Sequence, residues 1–376
     1  MTQYKANKIS LHFVVTLAAI IASAIILTVN AQTAKEWKTI KSDINLLVAN
    51  DLGRNGYYRQ KPIAEKMGEI AEVIGPEAVI AAGDVHHFEG VASVDDPLWL
   101  TNYEMIYSHP ELMIPWMPAL GNHEYRGNTQ AVIDYSQRSR RWVMPNRYYT
   151  QVFEEKGTTL RIVFIDTTPL IDKYRNDSIT YPDACCQDID KQLEWLDKTL
   201  GEAKEDWVIV VGHHPVFAQT SKTDTERKDL QRRLLPLLNK HKVPMYICGH
   251  IHNFQYITTK ESNTDFVVNS SGSLARKVKP TEGTVFCSSE PGFRNVSADK
   301  ANLTLYMIEA NGVILHNNTI NKYLPLTITN VGLCPWGCRP FYWQMLILTV
   351  TICKQTPTQT ECFNFKIGFY FHFSSI

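Results

Sequence analysis

Five short segments end apolar runs with residues that bind metals or move protons. They are Asp51 in ANDLG, Asp84 in GDVHH, Asn122, His123 and Glu124 in LGNHEY, His213 in VGHHP, and His250 and His252 in CGHIHN. Seven of the chain's twelve histidines fall in these segments. Aspartates, an amide and several imidazoles supply too much oxygen for a lone structural zinc, which favours thiolates. The set suits two divalent or trivalent first-row ions sharing a bridging carboxylate. Such a pair, about 3.5 Å apart, acidifies water and clamps a phosphoryl group. Taken alone, each segment has an ordinary reading: Gly-Asp is a common turn, and His-x-His occurs on many strands. Such segments in series, each closing an apolar run, point to one site.

Something must bring those segments together. INLLVAN (44–50), AVIAAG (78–83), LRIVFID (160–166), WVIVVGH (207–213) and MYICGH (245–250) are short apolar runs, the pattern of strands covered on both faces. Between them, 62–75, 188–204 and 225–241 carry apolar residues at three- and four-residue spacing and predict helices. DFVVNSSG and the stretch 302–320 read as antiparallel strands, with a turn at Asn311-Gly312. The result is an α/β core with a mixed or second sheet, whose strand ends gather the ligand-bearing loops. RSRR (138–141) reads as a solvated helix face, or as a patch for an extended anionic substrate.

The ends of the chain differ from this core. Lys5 and Lys8 precede the apolar stretch 11–29, followed by small residues up to Ala31. This is the layout of a signal peptide (1–31) cleaved after Ala31, giving a secreted or periplasmic protein. The rival is an uncleaved anchor, the one route by which a membrane becomes a partner. Residues 323–376 are an aromatic, cysteine-containing appendage with no clear period, and the apolar run 341–353 is short for a membrane helix. The eight cysteines form no evident disulfide framework, and Cys185 and Cys186 are adjacent. Lys+Arg and Asp+Glu are equal at 38 each, so no global field favours nucleic acid, and an anionic substrate needs local charge.

The series D-x-G, G-D, G-N-H-E, G-H and G-H-x-H resembles the calcineurin-like metallophosphoesterases, and within them the small, tartrate-resistant purple acid phosphatases. The likeness extends to LGNHEYRGNTQAVIDYSQRSRRWVMPNRYY, GHHPVFA and CGHIHNFQY, and covers roughly residues 43–322. It implies a four-layer α/β/β/α sandwich of two mixed sheets and two metal ions (Fe, Zn or Mn). Carried over by position, Asp84 bridges the ions, Asp51 and His252 hold the first, and Asn122, His213 and His250 hold the second. His123 faces the phosphoester and protonates the leaving group, and Glu124 orients and charges that imidazole. Metal-bound hydroxide is the implied nucleophile, and phosphorylated small molecules or phosphoproteins are the implied substrates. A phosphodiesterase or nucleotide hydrolase of the same superfamily, and a non-catalytic metal- or phosphate-binding protein, are the competing readings.

Two departures stand out. The third residue after the bridging aspartate is a colour-giving tyrosine in the purple enzymes, and here it is His87. An imidazole stabilises a trivalent ion less than a phenolate does, so the resemblance implies a site that is not purple and prefers divalent ions. Either His87 ligates the first ion itself or it does not. His86 alternates to the other side of the loop, where it supports the site or meets solvent. Nine residues after His213 the family often has a substrate-facing histidine, whereas this chain has Lys222, a point charge for phosphate. His214 reads equally as a pocket wall and as an exposed loop residue.

Overall fold

A computed structural model describes residues 36–221 and 224–322, together with the strand backbone of 327–333, 343–355 and 360–372. The proposed leader and Lys222 lie outside the described residues. One compact unit comprises the chain up to Asp299 with Thr304–Asn318, and a second comprises Lys300–Leu303 and Thr319–Ile376.

In the larger unit, β1 (Ile44–Val48), β2 (Ala78–Ala82) and β3 (Trp116–Ala119) run parallel and are fully buried, the first two as the apolar runs 44–50 and 78–83 predict. They extend through β11 (Gly292–Ala298), antiparallel to β1, to β12 (Asn302–Glu309) and β13 (Ile314–Asn321), giving the order β13-β12-β11-β1-β2-β3. The second sheet has seven strands. Its parallel centre is β5 (Thr158–Phe164), β6 (Trp207–Val211), β7 (Met245–Cys248) and β9 (Ser262–Asn269). Its antiparallel flanks are β4 (Tyr149–Glu155) beside β5, and β8 (Phe254–Thr259) with β10 (Thr284–Ser288) beyond β9.

Polar side chains join the inner faces of these sheets. Asn269 donates to the Val48 carbonyl at 3.0 Å, and the Tyr149 hydroxyl donates to Pro118 at 2.8 Å. The fully buried Arg294 guanidinium donates to Val268 and Gln255 carbonyls. A buried donor left unpaired would cost about 1–3 kcal/mol, so these contacts fix the sheets in one register. Helices cover the outer faces, completing the α/β/β/α sandwich. Helix Gln60–Ile74 buries Ile63, Met67, Ile70 and Ile74 and stops at Gly75, whose left-handed φ of 60° ends the ladder. Helix Ile189–Glu202 starts where the Asp188 side chain accepts the Lys191 amide at 3.0 Å.

Two expectations need correction. The single helix predicted over 225–241 is two, Thr225–Arg233 and Leu235–Lys240, because Pro236 cannot donate to the preceding turn. The arginines of 138–141 are not one solvated face. Arg141 is buried against Glu104 at 2.7 Å and the Tyr107 carbonyl at 2.6 Å, tying the 99–112 segment to the sheet edge.

In the smaller unit, β14 (Thr327–Leu333), β15 (Trp343–Gln355) and β16 (Thr360–His372) form an antiparallel sheet in sequence order. Among the described residues no helix is long and apolar enough to cross a membrane.

Candidate metal centre

Five parallel strands, three in one sheet and two in the other, end within four residues of a proposed ligand. β1 leads to Asp51, β2 to Asp84, β3 to Asn122, β6 to His213 and β7 to His250 and His252. Asp51, Asp84, His250 and His252 all have left-handed backbones, with φ of 57°, 55°, 77° and 60°. Such a conformation costs a non-glycine residue of order 1–3 kcal/mol and persists where the surroundings over-determine it. It turns each side chain inward directly after its strand. Gly83 and Gly121 make that possible: a Cβ at Gly83 would sit 2.4 Å from His213 Nδ1, and one at Gly121 would sit 2.3 Å from Asp84 Oδ1.

Asp84 lies at the middle of the cluster. Its Oδ1 accepts the His123 amide at 3.0 Å. Its Oδ2 is 3.1 Å from His213 Nε2, 3.5 Å from His87 Nε2 and 3.8 Å from His123 Nε2. Donor atoms of Asp51, His87 and His252 fall within 4.8 Å of one another, as do those of Asp51, Asp84 and His213. The atoms fit cations. Both ring nitrogens of His87, Nδ1 of His252 and Oδ1 of Asn122 are buried without a hydrogen-bond partner, an arrangement that costs stability and that a cation taking one lone pair from each residue would relieve.

Electrostatics point the same way. Burial, only partly offset by Asp84, holds His87 well below the usual histidine range, and burial likewise pushes His252 down. Both imidazoles are therefore neutral and able to ligate. Burial opposes charge on His213 too, but the neighbouring Asp84 carboxylate overrides it and pushes the pKa up to about 9. Burial opposes ionisation of Asp84, yet His213 and His123 hold its pKa well below the carboxylate norm.

The remaining proposed residues are placed as follows. The His123 imidazole is held by the Phe88 carbonyl, 2.6 Å from Nδ1, and its other nitrogen turns toward Asp84. Glu124 does not orient it, contrary to the expectation from sequence. Its buried carboxylate instead accepts the amides of Gly121 (2.8 Å), Asp84 (2.9 Å) and His86 (3.1 Å), clamping two ligand-bearing turns together. Successive residues of the short helical turn Glu124–Arg126 point in different directions, so sequence adjacency to His123 brings no contact. Burial, with Asp84 adding to it, raises the Glu124 pKa to about 7. Nor does a nearby carboxylate lift His123: burial lowers its pKa, and Asp84 only opposes the shift. His86 is buried rather than exposed, edge-on to Trp99 and 3.3 Å from the Asn102 amide. His214 is also fully buried, with Nδ1 2.9 Å from Thr167 Oγ1 and its ring 4.4 Å from that of His250.

Several contributors were not legible in the sequence. Glu226, near the start of helix Thr225–Arg233, reaches His250 Nε2 at 3.0 Å, Lys173 Nζ at 2.7 Å and the Tyr174 hydroxyl at 3.1 Å. Thr167, just past β5, accepts the amides of His213 and His214. A cavity of about 220 Å³ opens onto Asp84, Asn122, His123, His250 and His252, and three cations, Arg126, Lys173 and Arg276, line it. The local positive charge that a near-neutral chain needs for an anion is therefore present at this opening.

Comparison with known proteins follows this geometry. Residues 44–254 match the family described as calcineurin-like phosphoesterase. Purple acid phosphatase 3 of Arabidopsis thaliana is 30% identical over 335 residues, spanning 84% of this chain and 88% of that protein. Tartrate-resistant acid phosphatase type 5 of Oryctolagus cuniculus is 33% identical over 222 residues, spanning 57% of this chain and 67% of its own length. Among solved structures, GAP50, the anchor in the inner membrane complex of Plasmodium, aligns with a TM-score of 0.64 at 22% identity, over 75% of this chain and 89% of that one. Purple acid phosphatase PPD1 from yellow lupin aligns with a TM-score of 0.54 at 18% identity, over 75% and 54%. These structural likenesses concern the fold alone.

Proposed function

Because the chain belongs to the calcineurin-like phosphoesterase family and is a phosphoric-ester hydrolase, we propose that it hydrolyses phosphomonoesters at a dinuclear metal centre. The observation that carries this reading is the position of Asp84, whose Oδ2 lies among donors from both sheets while its Oδ1 is fixed by the His123 amide. That is where a carboxylate shared by two cations belongs. Asp51, His87 and His252 would hold one ion, and Asn122, His213 and His250 would hold the other. When bound, the two cations supply Lewis-acid activation of water and neutralise charge on the phosphoryl group.

The chain's own residues do the rest. Arg126, Lys173 and Arg276 draw the phosphate into the cavity and favour a compact dianion. His123, partly exposed and anchored through Nδ1, presents Nε2 to the leaving oxygen and, as the imidazolium, transfers the Nε2 proton to it, leaving the neutral ring with its remaining N–H on Phe88. Glu124 keeps the Asp84 and Gly121 turns at a fixed separation, so the site changes little during turnover. His87 in place of a phenolate ligand favours divalent ions and a colourless protein. The leader-like 1–31 segment supports export.

The test is reconstitution of purified protein with iron, manganese or zinc, then an absorption spectrum and assays on a monoester and a diester. Monoester turnover without a visible charge-transfer band is expected. An intense visible band, or faster diester hydrolysis, would contradict this reading.

A further inference from the structure

A second cavity, of about 410 Å³, borders His87 and is lined by Gly53, Arg54, Asn55, Tyr57, Tyr58 and Phe88. That size falls in the usual range for small-molecule sites. Its walls are unusual for a surface: Tyr57, Tyr58 and Phe88 are 72%, 62% and 58% exposed. Arg54, by contrast, is only 7% exposed, and its Nε is buried with no hydrogen-bond partner. Its guanidinium lies 4.6 Å from the Phe88 ring centroid and 5.9 Å from that of Tyr58.

Burying the Nε–H without a partner is costly, and the rest of the guanidinium, packed on the Phe88 and Tyr58 rings, borders the cavity. The carboxylates whose charge favours the guanidinium are Asp51 and Asp84, and both are committed to cations in the functional reading. An anion arriving from solution through the cavity would then pair with Arg54. The loop carrying it is preorganised: buried Gln60 accepts the amides of Arg54 (3.1 Å) and Gly56 (2.8 Å), and Gly53 accepts the His87 amide. Phe88 connects this cavity to the chemistry. Its carbonyl holds His123, and its ring centroid is 5.9 Å from that imidazole, so the leaving group that His123 protonates emerges beside Phe88.

We propose that Arg54, Tyr58 and Phe88 form a leaving-group subsite for an aromatic ring bearing its own negative charge. The aromatic faces pack the ring and Arg54 pairs with the anionic substituent. This assignment rests on the phosphomonoesterase reading only for the placement of the phosphate, so binding is measured separately from turnover.

The probes are phenylphosphonate, its 3- and 4-carboxy derivatives and methylphosphonate, titrated calorimetrically into metal-loaded protein. At least one carboxy derivative is expected to bind about tenfold more tightly than phenylphosphonate. Arg54→Met should abolish that margin and leave phenylphosphonate binding within roughly twofold. Tyr58→Ala, an exposed position that folding tolerates, should weaken all aryl probes about three- to tenfold and leave methylphosphonate unchanged. Equal binding of the carboxylated and plain aryl probes to the wild type overturns the subsite, as does a margin that survives Arg54→Met. An Arg54-dependent margin in a protein with no monoester turnover upholds the subsite and overturns the functional reading instead.

Discussion

The Glu226 carboxylate and His250 Nε2 lie 3.0 Å apart, linking a helix start to a strand end. Burial opposes charge on Glu226, but the contact with His250 keeps its pKa well below the carboxylate norm, so it accepts at all ordinary pH values. A carboxylate behind a ligating histidine fixes the ring and raises its basicity. Glu226→Gln should therefore weaken affinity for one of the two ions about 10–100-fold, read by competition with a chromogenic chelator. Unchanged affinity for both ions would remove Glu226 from the site.

His123 touches the cavity and, in this account, binds no metal. His123→Ala should retain the wild-type metal content while turnover falls about 10²–10⁴-fold, the usual range for a lost general acid. Loss of metal together with activity would make it a ligand, and full turnover would remove its proton-transfer role.

The pH dependence of the metal-free protein follows from His213. Its pKa rises from 6.5 unfolded to about 9 folded, so the folded state binds the proton more tightly. The stabilisation is fully present below about pH 6.5 and is lost as pH rises through about 9. Thermal melts of metal-free protein should fall across that window, and His213→Asn should flatten the slope. Cations compete with the same proton, so their apparent affinity should climb with pH up to about 9 and their binding should release protons. A metal-free protein whose melting temperature holds steady from pH 6.5 to 9 would contradict the Asp84–His213 pairing.

Most of the fold and the convergence of the polar strand ends follow from local rules legible in the sequence. Apolar runs marked β1, β2, β5, β6 and β7, and the polar residue after each buried strand marked the converging edge. What escaped depended on tertiary contact. Glu226 sits on a helix whose own pattern says nothing about His250. Glu124 was read from its neighbour in sequence, while its carboxylate is spent on three backbone amides. Arg141 reads as solvated within a basic run, and only packing shows the Glu104 side chain and three carbonyls that receive it. Sequence spacing predicts which face of an element a residue occupies, not what another element places against it.

The central claim is that two cations share Asp84 and that hydrolysis needs both. Metal-free protein titrated with manganese or zinc, with bound metal and phosphate release from 4-nitrophenyl phosphate followed together, tests it most directly. Saturation at two ions per chain is expected, with turnover appearing as the second binds, and little of either in Asp84→Asn. Full activity at one ion per chain, or activity that ignores added metal, would contradict it.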